Sequence, residues 1–205
     1  MGPLKLGEVE WAAASRPAAA GSGIGDAYMV RSVEHGVLIA VVDGLGHGPE
    51  ATLAAQRAIH TLERSTQTLP SALASECHRA LQATRGAVMG IAYVDVQMDA
   101  LTWIGVGDVR AVLQRAEPAG PSRSEALFTH NGVIGRTLPP LRPVMRSLLV
   151  GDTVIVATDG IRGGFLPEPR GNGTPERIAN DLLQRYAVPT DDALVLVARY
   201  RGGAV

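Results

Sequence analysis

Five aspartates stand at or beside the ends of predicted β-strands in this chain of 205 residues. They are Asp26, Asp43, Asp108, Asp159 and Asp191. Strand ends that lie at one edge of a sheet bring their side chains close together. Carboxylates delivered repeatedly to strand ends therefore predict one shared cation site.

Carboxylate oxygens are hard ligands that suit Mg²⁺ or Mn²⁺. Three or four carboxylates at short range raise one another's pKa, so such a cluster needs cations to remain ionised. Two divalent ions roughly 3.5–4 Å apart can activate a water for in-line attack while they neutralise phosphoryl oxygens. The predicted reaction is metal-assisted phosphoester hydrolysis. We expect Gly44 and Gly160, which follow two of the aspartates, to allow tight turns there.

The elements that position these aspartates are predicted from apolar periodicity and turn residues. Strands are predicted at residues 9–14, 28–32, 37–42, 88–96, 101–106, 110–114, 153–157 and 194–200. The fourth to sixth of these are expected to form an antiparallel meander. Helices are predicted at 49–64, at 70–84, and from the Thr174 cap to just before Pro189.

This order of elements does not alternate as βαβ units do, so it disfavours a parallel doubly wound sheet. It favours a layered α+β sandwich instead. The Pro-, Gly- and Ser-rich stretch 117–124 is predicted to be an exposed connection, and the Gly- and Pro-rich stretch 163–173 a mobile loop.

Composition restricts the functional class further. A chain of this length with 46% hydrophobic residues is expected to form a single domain, 1–205. Its formal net charge of −1 offers no electrostatic footprint for nucleic acid or an anionic membrane. No apolar run approaches the ~20 residues of a spanning helix. The single cysteine, Cys77, excludes an internal disulfide and fits a reducing cytoplasm. We expect a soluble cytoplasmic protein that is a monomer.

Five short motifs carry a family resemblance. They are Gly25-Asp26, Val42-Asp43-Gly44-Leu45-Gly46-His47-Gly48, Gly105-Val106-Gly107-Asp108-Val109-Arg110, Ala157-Thr158-Asp159-Gly160 and Asp191-Asp192. Each motif alone is weak, because Asp-Gly is common in turns. In order and spacing, however, the series resembles the metal-dependent type 2C serine/threonine protein phosphatases over nearly the whole chain. Gly46-His47-Gly48 and Arg85-Gly86-Ala87 resemble the bacterial SpoIIE-type branch, and within it the phosphatases of the stressosome.

The resemblance implies a four-layer αββα sandwich with metal ions in a cleft at one end of two mainly antiparallel sheets. It also implies a catalytic core of Asp43, Asp159 and Asp191. Asp43 is similar to the ligand that bridges two Mn²⁺ or Mg²⁺ ions, with the Gly44 carbonyl on one of them. Asp159 and Asp191 are similar to the ligands of the second ion.

The resemblance implies lesser metal roles for two further aspartates. Asp26 is expected to act through metal-bound water, and Asp108 to join Asp159 around a weaker third ion. Asp192 stands where many relatives have Asn, so we interpret it as an orienting neighbour rather than a primary ligand. For Asp26 and Asp108 the alternative is an ordinary backbone-capping role in a turn.

The chain departs from the family pattern at three places. Leu45 occupies the position where larger members place a general-acid His, and His47 follows two residues later, which leaves protonation of the leaving group unassigned. Arg16 is the candidate upstream of Asp26 for binding phosphate. Ala193 follows the acidic pair where Thr or Ser is usual.

Three classes of function remain open. The resemblance favours an active phosphatase that acts on phosphorylated Ser or Thr of STAS-domain stressosome proteins and resets a stress signal. A phosphatase of another anti-sigma-factor antagonist pathway would use the same catalytic unit. A silent binding module is disfavoured because Asp43 and Asp159 are both present. A hydrolase of small phosphoesters such as nucleotides is disfavoured because no base-stacking or glycine-loop feature is recognisable.

Overall fold

The computed structural model describes residues 4–18, 23–116, 124–163 and 173–203. Within these ranges the chain forms twelve strands and three helices. In chain order they are β1 Leu4–Leu6, β2 Val9–Arg16, β3 Asp26–Val33, β4 Gly36–Gly44, α1 Pro49–Arg64, α2 Pro70–Leu81, β5 Ala87–Asp95, β6 Ala100–Val106, β7 Arg110–Gln114, β8 Ser124–Leu127, β9 Thr129–His130, β10 Val144–Ser147, β11 Thr153–Ala157, α3 Pro175–Tyr186 and β12 Ala193–Tyr200.

The strands form two sheets that pack face to face. The first sheet has the order β1-β2-β12-β11-β7-β8, and the second has the order β10-β6-β5-β4-β3. All pairs along these two paths are antiparallel, whereas the two-residue strand β9 joins β6 in parallel. Helix α3 covers the first sheet, while α1 and α2 cover the second. The predicted αββα sandwich is therefore confirmed.

Three apolar layers hold the sandwich together. The layer between the sheets is built around Trp103 and Leu113, which are almost wholly buried. Leu38 and Leu62 belong to the layer beneath α1 and α2, and Ile155 belongs to the layer beneath α3. Because each sheet buries both faces, its central strands carry nearly continuous apolar runs rather than a clear alternation.

The predicted helices form because their first residues and the spacing of their buried residues both favour a helix over the same range. Proline occupies the first turn of all three described helices, where its missing N–H would have no helical partner. The Thr174 side chain caps α3 by accepting the Arg177 N–H at 3.3 Å. Helix α2 ends at Leu81, three residues earlier than predicted. No helix in the described ranges is both long and apolar enough to cross a membrane.

The predicted three-strand meander is wrong in its third strand. Strands β5 and β6 pair as expected, but β7 lies in the other sheet beside β11. The chain changes sheets at Gly107, whose φ of 90° is a left-handed conformation that favours glycine. The Gly107 N–H donates to the His130 carbonyl at 2.8 Å, which fixes this crossing. Asp108 lies in this connection between the two sheets and is exposed.

Four short strands, β1, β8, β9 and β10, were not predicted, since two to four residues give little periodic signal. All four are sheet edges or lie off the main path of their sheet. Most of the predicted exposed connection, 117–123, lies outside the described residues. So does most of the predicted mobile loop, 164–172.

Candidate metal centre

The strand ends of both sheets meet at one end of the sandwich. Asp26 begins β3 and is the direct cross-strand partner of Asp43 near the end of β4. Asp159 follows β11, and Asp191 lies just before β12, both in the other sheet. Asp108 lies in the crossing between β6 and β7. The fold thus brings all five predicted aspartates to the same end of the sandwich.

Three of these carboxylates approach closely enough to share one cation. One carboxylate oxygen from each of Asp43, Asp108 and Asp159 lies within 4.8 Å of the other two. Asp43 is partly buried, whereas Asp108 and Asp159 are exposed. This arrangement gathers hard oxygen donors at the opening of a cleft, as a Mg²⁺ or Mn²⁺ site requires.

The cleft has a volume of about 860 Å³. The aspartates on its lining are Asp43, Asp108, Asp159, Asp191 and Asp192. The neutral remainder of the lining comes mainly from the loops around Gly46 and Gly132. Asp26 is not part of this lining and lies buried behind Asp43.

A hydroxyl from the opposite sheet holds Asp26. Thr158 Oγ1 donates to Asp26 Oδ2 at 2.8 Å and accepts the Leu194 N–H at 3.0 Å. Thr158 is fully buried. No sequence motif gave Thr158 a role of its own, although it directly precedes Asp159.

Asp192 binds backbone rather than facing the cation site with free oxygens. Its Oδ1 accepts the Ala18 N–H and its Oδ2 the Gly25 N–H, both at 2.7 Å. These contacts join the chain before β3 to the residue that precedes β12, and the orienting role of Asp192 stays a prediction. The neighbouring Asp191 is exposed, and its Oδ1 accepts the Asp192 N–H at 2.9 Å.

The glycines after Asp43 and Asp159 are needed for close backbone approach. A Cβ at Gly44 would lie 2.0 Å from the Ala51 carbonyl oxygen in the first turn of α1. A Cβ at Gly160 would lie 1.7 Å from the Asp192 carbonyl oxygen. Neither glycine has a left-handed φ. Close contact with neighbouring backbone, and not a left-handed φ, is therefore what requires glycine at these two positions.

The electrostatics of the cluster are those of a cation site. Burial first, and then the carboxylates of Asp26 and Asp159, raise the pKa of Asp43 to about 9. Burial raises the pKa of Asp26 to about 7, although the hydrogen bond from Thr158 opposes the shift. Burial and then Asp108 and Asp191 also raise the pKa of Asp159.

Raised pKa values mean that these carboxylates cannot all be ionised at neutral pH without positive charge among them. Hard oxygen donors within 4.8 Å of one another accommodate such a charge. The residues present therefore fit a divalent cation.

His47 and Arg16, the two other residues considered in the sequence, differ in their relation to the cleft. His47 is exposed on the cleft lining, between Gly46 and Gly48, which both have a left-handed φ. Arg16 donates from Nη2 to the Val188 carbonyl at 2.8 Å and is not part of the cleft lining. A phosphate contact from Arg16 stays a prediction.

No motif pointed to the wall of the cleft formed by residues 131–133. His130 holds this wall: its Nδ1 donates to the Gly105 carbonyl at 3.2 Å, and its Nε2 accepts the Arg142 N–H at 3.1 Å. His78 on α2 accepts the Gly135 N–H at 3.0 Å. The sequence signal that could have indicated this wall is the pair Gly132 and Gly135. Each is packed so closely against neighbouring backbone that a side chain would not fit.

Known proteins and solved structures resemble this chain in sequence and in fold. The family model for Stage II sporulation protein E (SpoIIE) matches residues 33–201. No curated protein matches the sequence significantly. A chain from the structure described as "The bacterial stressosome: a modular system that has been adapted to control secondary messenger signaling" is 31% identical. The match covers 93% of this chain and 99% of that one, with a TM-score of 0.84.

Two more distant structures share the fold. RsbX in complex with magnesium is 20% identical, with a TM-score of 0.83 over 97% of this chain and 98% of that one. The Mycobacterium tuberculosis serine/threonine phosphatase PstP/Ppp is 16% identical, with a TM-score of 0.73 over 94% and 99%. The expected likeness to a stressosome phosphatase of the RsbX type is confirmed in the fold.

Proposed function

The chain belongs to the SpoIIE family of type 2C serine/threonine protein phosphatases, and on that premise we propose that its substrates are phosphorylated STAS-domain proteins of a stressosome scaffold. Removal of phosphate from their Ser or Thr residues would reset a bacterial stress-signalling pathway. The observation that carries the enzymatic part is the convergence of Asp43, Asp108 and Asp159 within 4.8 Å at one cleft. The 31% identical chain from a stressosome structure supports the choice of substrate.

The proposed cofactors are two divalent ions, Mn²⁺ or Mg²⁺, with a weaker third. Magnesium bound to the similar fold of RsbX supports a hard divalent cation. The residues that would hold the ions are Asp26, Asp43, Gly44, Asp108, Asp159 and Asp191. When bound, the ions neutralise charge on the phosphoryl oxygens and activate water for attack at phosphorus.

The protein's own contribution is to hold these ligands in place before substrate arrives. Thr158 fixes Asp26, and Asp192 fixes the backbone at Gly25. Burial and the neighbouring carboxylates raise the pKa of Asp43 to about 9, so this carboxylate gains strongly from a nearby positive charge. Such prior orientation reduces the reorganisation that the reaction needs.

Generic phosphatase activity is the first test. Purified wild-type protein is expected to hydrolyse p-nitrophenyl phosphate with Mn²⁺ and to lose that activity in EDTA. Asp43→Asn is expected to lower turnover by more than ~100-fold, beyond the loss typical of an outer-shell change. Asp181→Asn, at a half-exposed position on α3 away from the cleft lining, is the matched control and should behave as wild type. No metal-dependent turnover, together with normal metal binding by Asp43→Asn, would refute an enzymatic role.

Substrate choice needs a separate experiment. The purified chain is incubated with phosphorylated stressosome scaffold and, in parallel, with a phosphorylated anti-sigma-factor antagonist. We expect loss of phosphate from the scaffold. Dephosphorylation of the antagonist alone would indicate that the enzyme acts in another anti-sigma-factor pathway.

Three further expectations stay predictions. They are a single domain over 1–205, a monomeric state and a cytoplasmic location.

A further inference from the structure

We infer that Arg85 and Arg136 form a cationic rim at one wall of the cleft, and that this rim binds acidic residues flanking the phosphorylated Ser or Thr of the substrate. The inference rests on the proposed protein phosphatase function. We call these two side chains the arginine rim. The substrate segment should therefore carry acidic residues beside its phosphorylated Ser or Thr.

Arg85 lies against a loop that lines the cleft. The Leu45 N–H donates to the Gly86 carbonyl at 3.0 Å, which joins the Arg85-Gly86 loop to the loop after Asp43. Arg85 Nη1 then lies directly over Gly46, where a Cβ would be only 2.8 Å from that nitrogen. Because Gly46 itself lines the cleft, the guanidinium of Arg85 stands at its edge.

Glu50 orients Arg85 without burying its charge. The carboxylate of Glu50, in the first turn of α1, forms an ion pair with Arg85 Nε. The two side chains remain 47% and 66% exposed. A pair this exposed contributes little net free energy, so Arg85 can still attract an acidic group brought to Nη1.

Arg136 contacts the Arg85-Gly86 loop from a different part of the chain. Its Nε donates to the Arg85 carbonyl, and its Cγ lies 3.5 Å from the position of a Cβ on Gly86. Two backbone hydrogen bonds between Ala87 and Ile134, of 3.0 and 2.8 Å, hold the two loops together. The contact between the arginines is therefore built into the fold.

The charge of the rim differs from that of the cleft it borders. Two arginines and one glutamate leave a net charge of +1 beside a cleft lined by five aspartates. Once cations and phosphate occupy the cluster, the rim is the surface that distinguishes acidic from basic flanking residues. Complementary charges at such an edge affect specificity more than catalysis.

The test uses three phosphothreonine peptides that differ only in their flanking residues, which are Asp and Glu, Asn and Gln, or Lys. Dissociation constants are measured by fluorescence anisotropy with Mn²⁺, and kcat/KM is measured by phosphate release. Wild type, Arg85→Gln, Arg136→Gln and the double variant are compared. Arg57→Gln, at an exposed arginine in the middle of α1, is the charge-matched control.

Wild type is expected to prefer the acidic over the neutral peptide by about tenfold. Each single variant should reduce this ratio by roughly two- to fivefold, the factor of one exposed ion pair. The double variant should remove the preference, while Arg57→Gln should keep it. The ratio of two peptides on one variant is independent of how much of the sample is active.

Two failures are distinguishable in this design. If wild type binds the acidic and neutral peptides equally, or if the double variant keeps the preference, the arginine rim is refuted even if turnover is normal. If the acidic preference in binding depends on the arginines but no phosphate is released from any peptide, the rim stands and the proposed function fails.

Discussion

Thr158 and Asp26 form a hydrogen bond that joins the two sheets directly behind the metal centre. Asp26 belongs to β3 of one sheet, and Thr158 follows β11 of the other. The 2.8 Å bond from the hydroxyl to Asp26 Oδ2 is buried, and the same hydroxyl accepts the Leu194 N–H. The relative position of the sheets is thus coupled to the position of a candidate metal ligand.

Replacing Thr158 with Val should weaken both stability and metal binding. The substitution keeps the shape but leaves Asp26 without its donor and the Leu194 N–H without its acceptor. Unfolding free energy should fall by about 1–3 kcal/mol, the usual cost of an unsatisfied buried group. Mn²⁺ affinity should fall by roughly 10–100-fold, as for other outer-shell changes. Urea unfolding in EDTA and calorimetric titration with Mn²⁺ measure the two effects.

Thr158→Ser is the matched control for this prediction, because it retains the hydroxyl and loses only a methyl group. It should keep most of the Mn²⁺ affinity. Equal losses of affinity in the Ser and Val variants would show that packing of the methyl group, and not the hydrogen bond, positions Asp26.

The aspartates were predictable from sequence because each stands beside an apolar strand with a turn residue next to it. Thr158 was not, since it bonds to Asp26 across 132 positions of the chain and leaves no local pattern. The helices were predictable for a similar local reason, because proline at the first turn and the spacing of buried residues agree.

The entry of β7 into the other sheet could not be predicted from local pattern. Three consecutive strands with short connections normally suggest a meander. The crossing depends on the left-handed φ of Gly107 and on its bond to His130, which is distant in sequence. This same crossing places Asp108 near Asp43 and Asp159, so the completeness of the carboxylate cluster is a tertiary property.

The metal-free protein should lose stability as pH rises. The pKa of Asp43 is about 9 in the folded state, compared with about 3.9 for an unfolded aspartate. The folded state therefore binds more protons between these values, and its unfolding free energy falls as pH increases from about 4 to about 9. Asp26, with a pKa of about 7, adds to the decrease in the lower part of this range.

Chemical unfolding in EDTA at pH 5, 6, 7 and 8 measures this dependence. Asp43→Asn removes the titrating group, so its unfolding free energy should change less with pH than that of wild type. Mn²⁺ should stabilise wild type most strongly at pH 8, where its binding does not have to displace as many protons. A wild-type stability in EDTA that increases from pH 5 to pH 8 relative to Asp43→Asn would contradict the raised pKa.

The adjacent residues Asp191 and Asp192 should separate into a ligand and a structural residue. Asp191 is exposed toward the cleft, so Asp191→Asn should weaken Mn²⁺ binding with little change in metal-free stability. Both oxygens of Asp192 accept backbone N–H groups, and an amide nitrogen would face one of those donors. Asp192→Asn should therefore cost about 1–3 kcal/mol of unfolding free energy in EDTA. If Asp191→Asn lost stability and Asp192→Asn lost Mn²⁺ binding instead, Asp192 would be the ligand and Asp191 the structural residue.

Gly160→Ala should disturb the candidate metal centre by displacing the backbone beside its aspartates. The added Cβ would lie 1.7 Å from the Asp192 carbonyl oxygen, far inside contact distance. That carbonyl cannot move freely, because the Asp192 side chain is fastened to Ala18 and Gly25.

The cost of Gly160→Ala should be at or above the ~1–3 kcal/mol typical of overpacking. Displacement of the neighbouring Asp159 should also lower Mn²⁺ affinity. Gly173→Ala is the control, since its Cβ would meet only side-chain atoms, of Ile178 at 3.3 Å and of Arg177 at 3.7 and 3.9 Å. Its unfolding free energy should change by less than ~0.5 kcal/mol. If Gly160→Ala unfolds at the same urea concentration as Gly173→Ala, the close approach of Gly160 to the Asp192 carbonyl does not constrain the candidate metal centre.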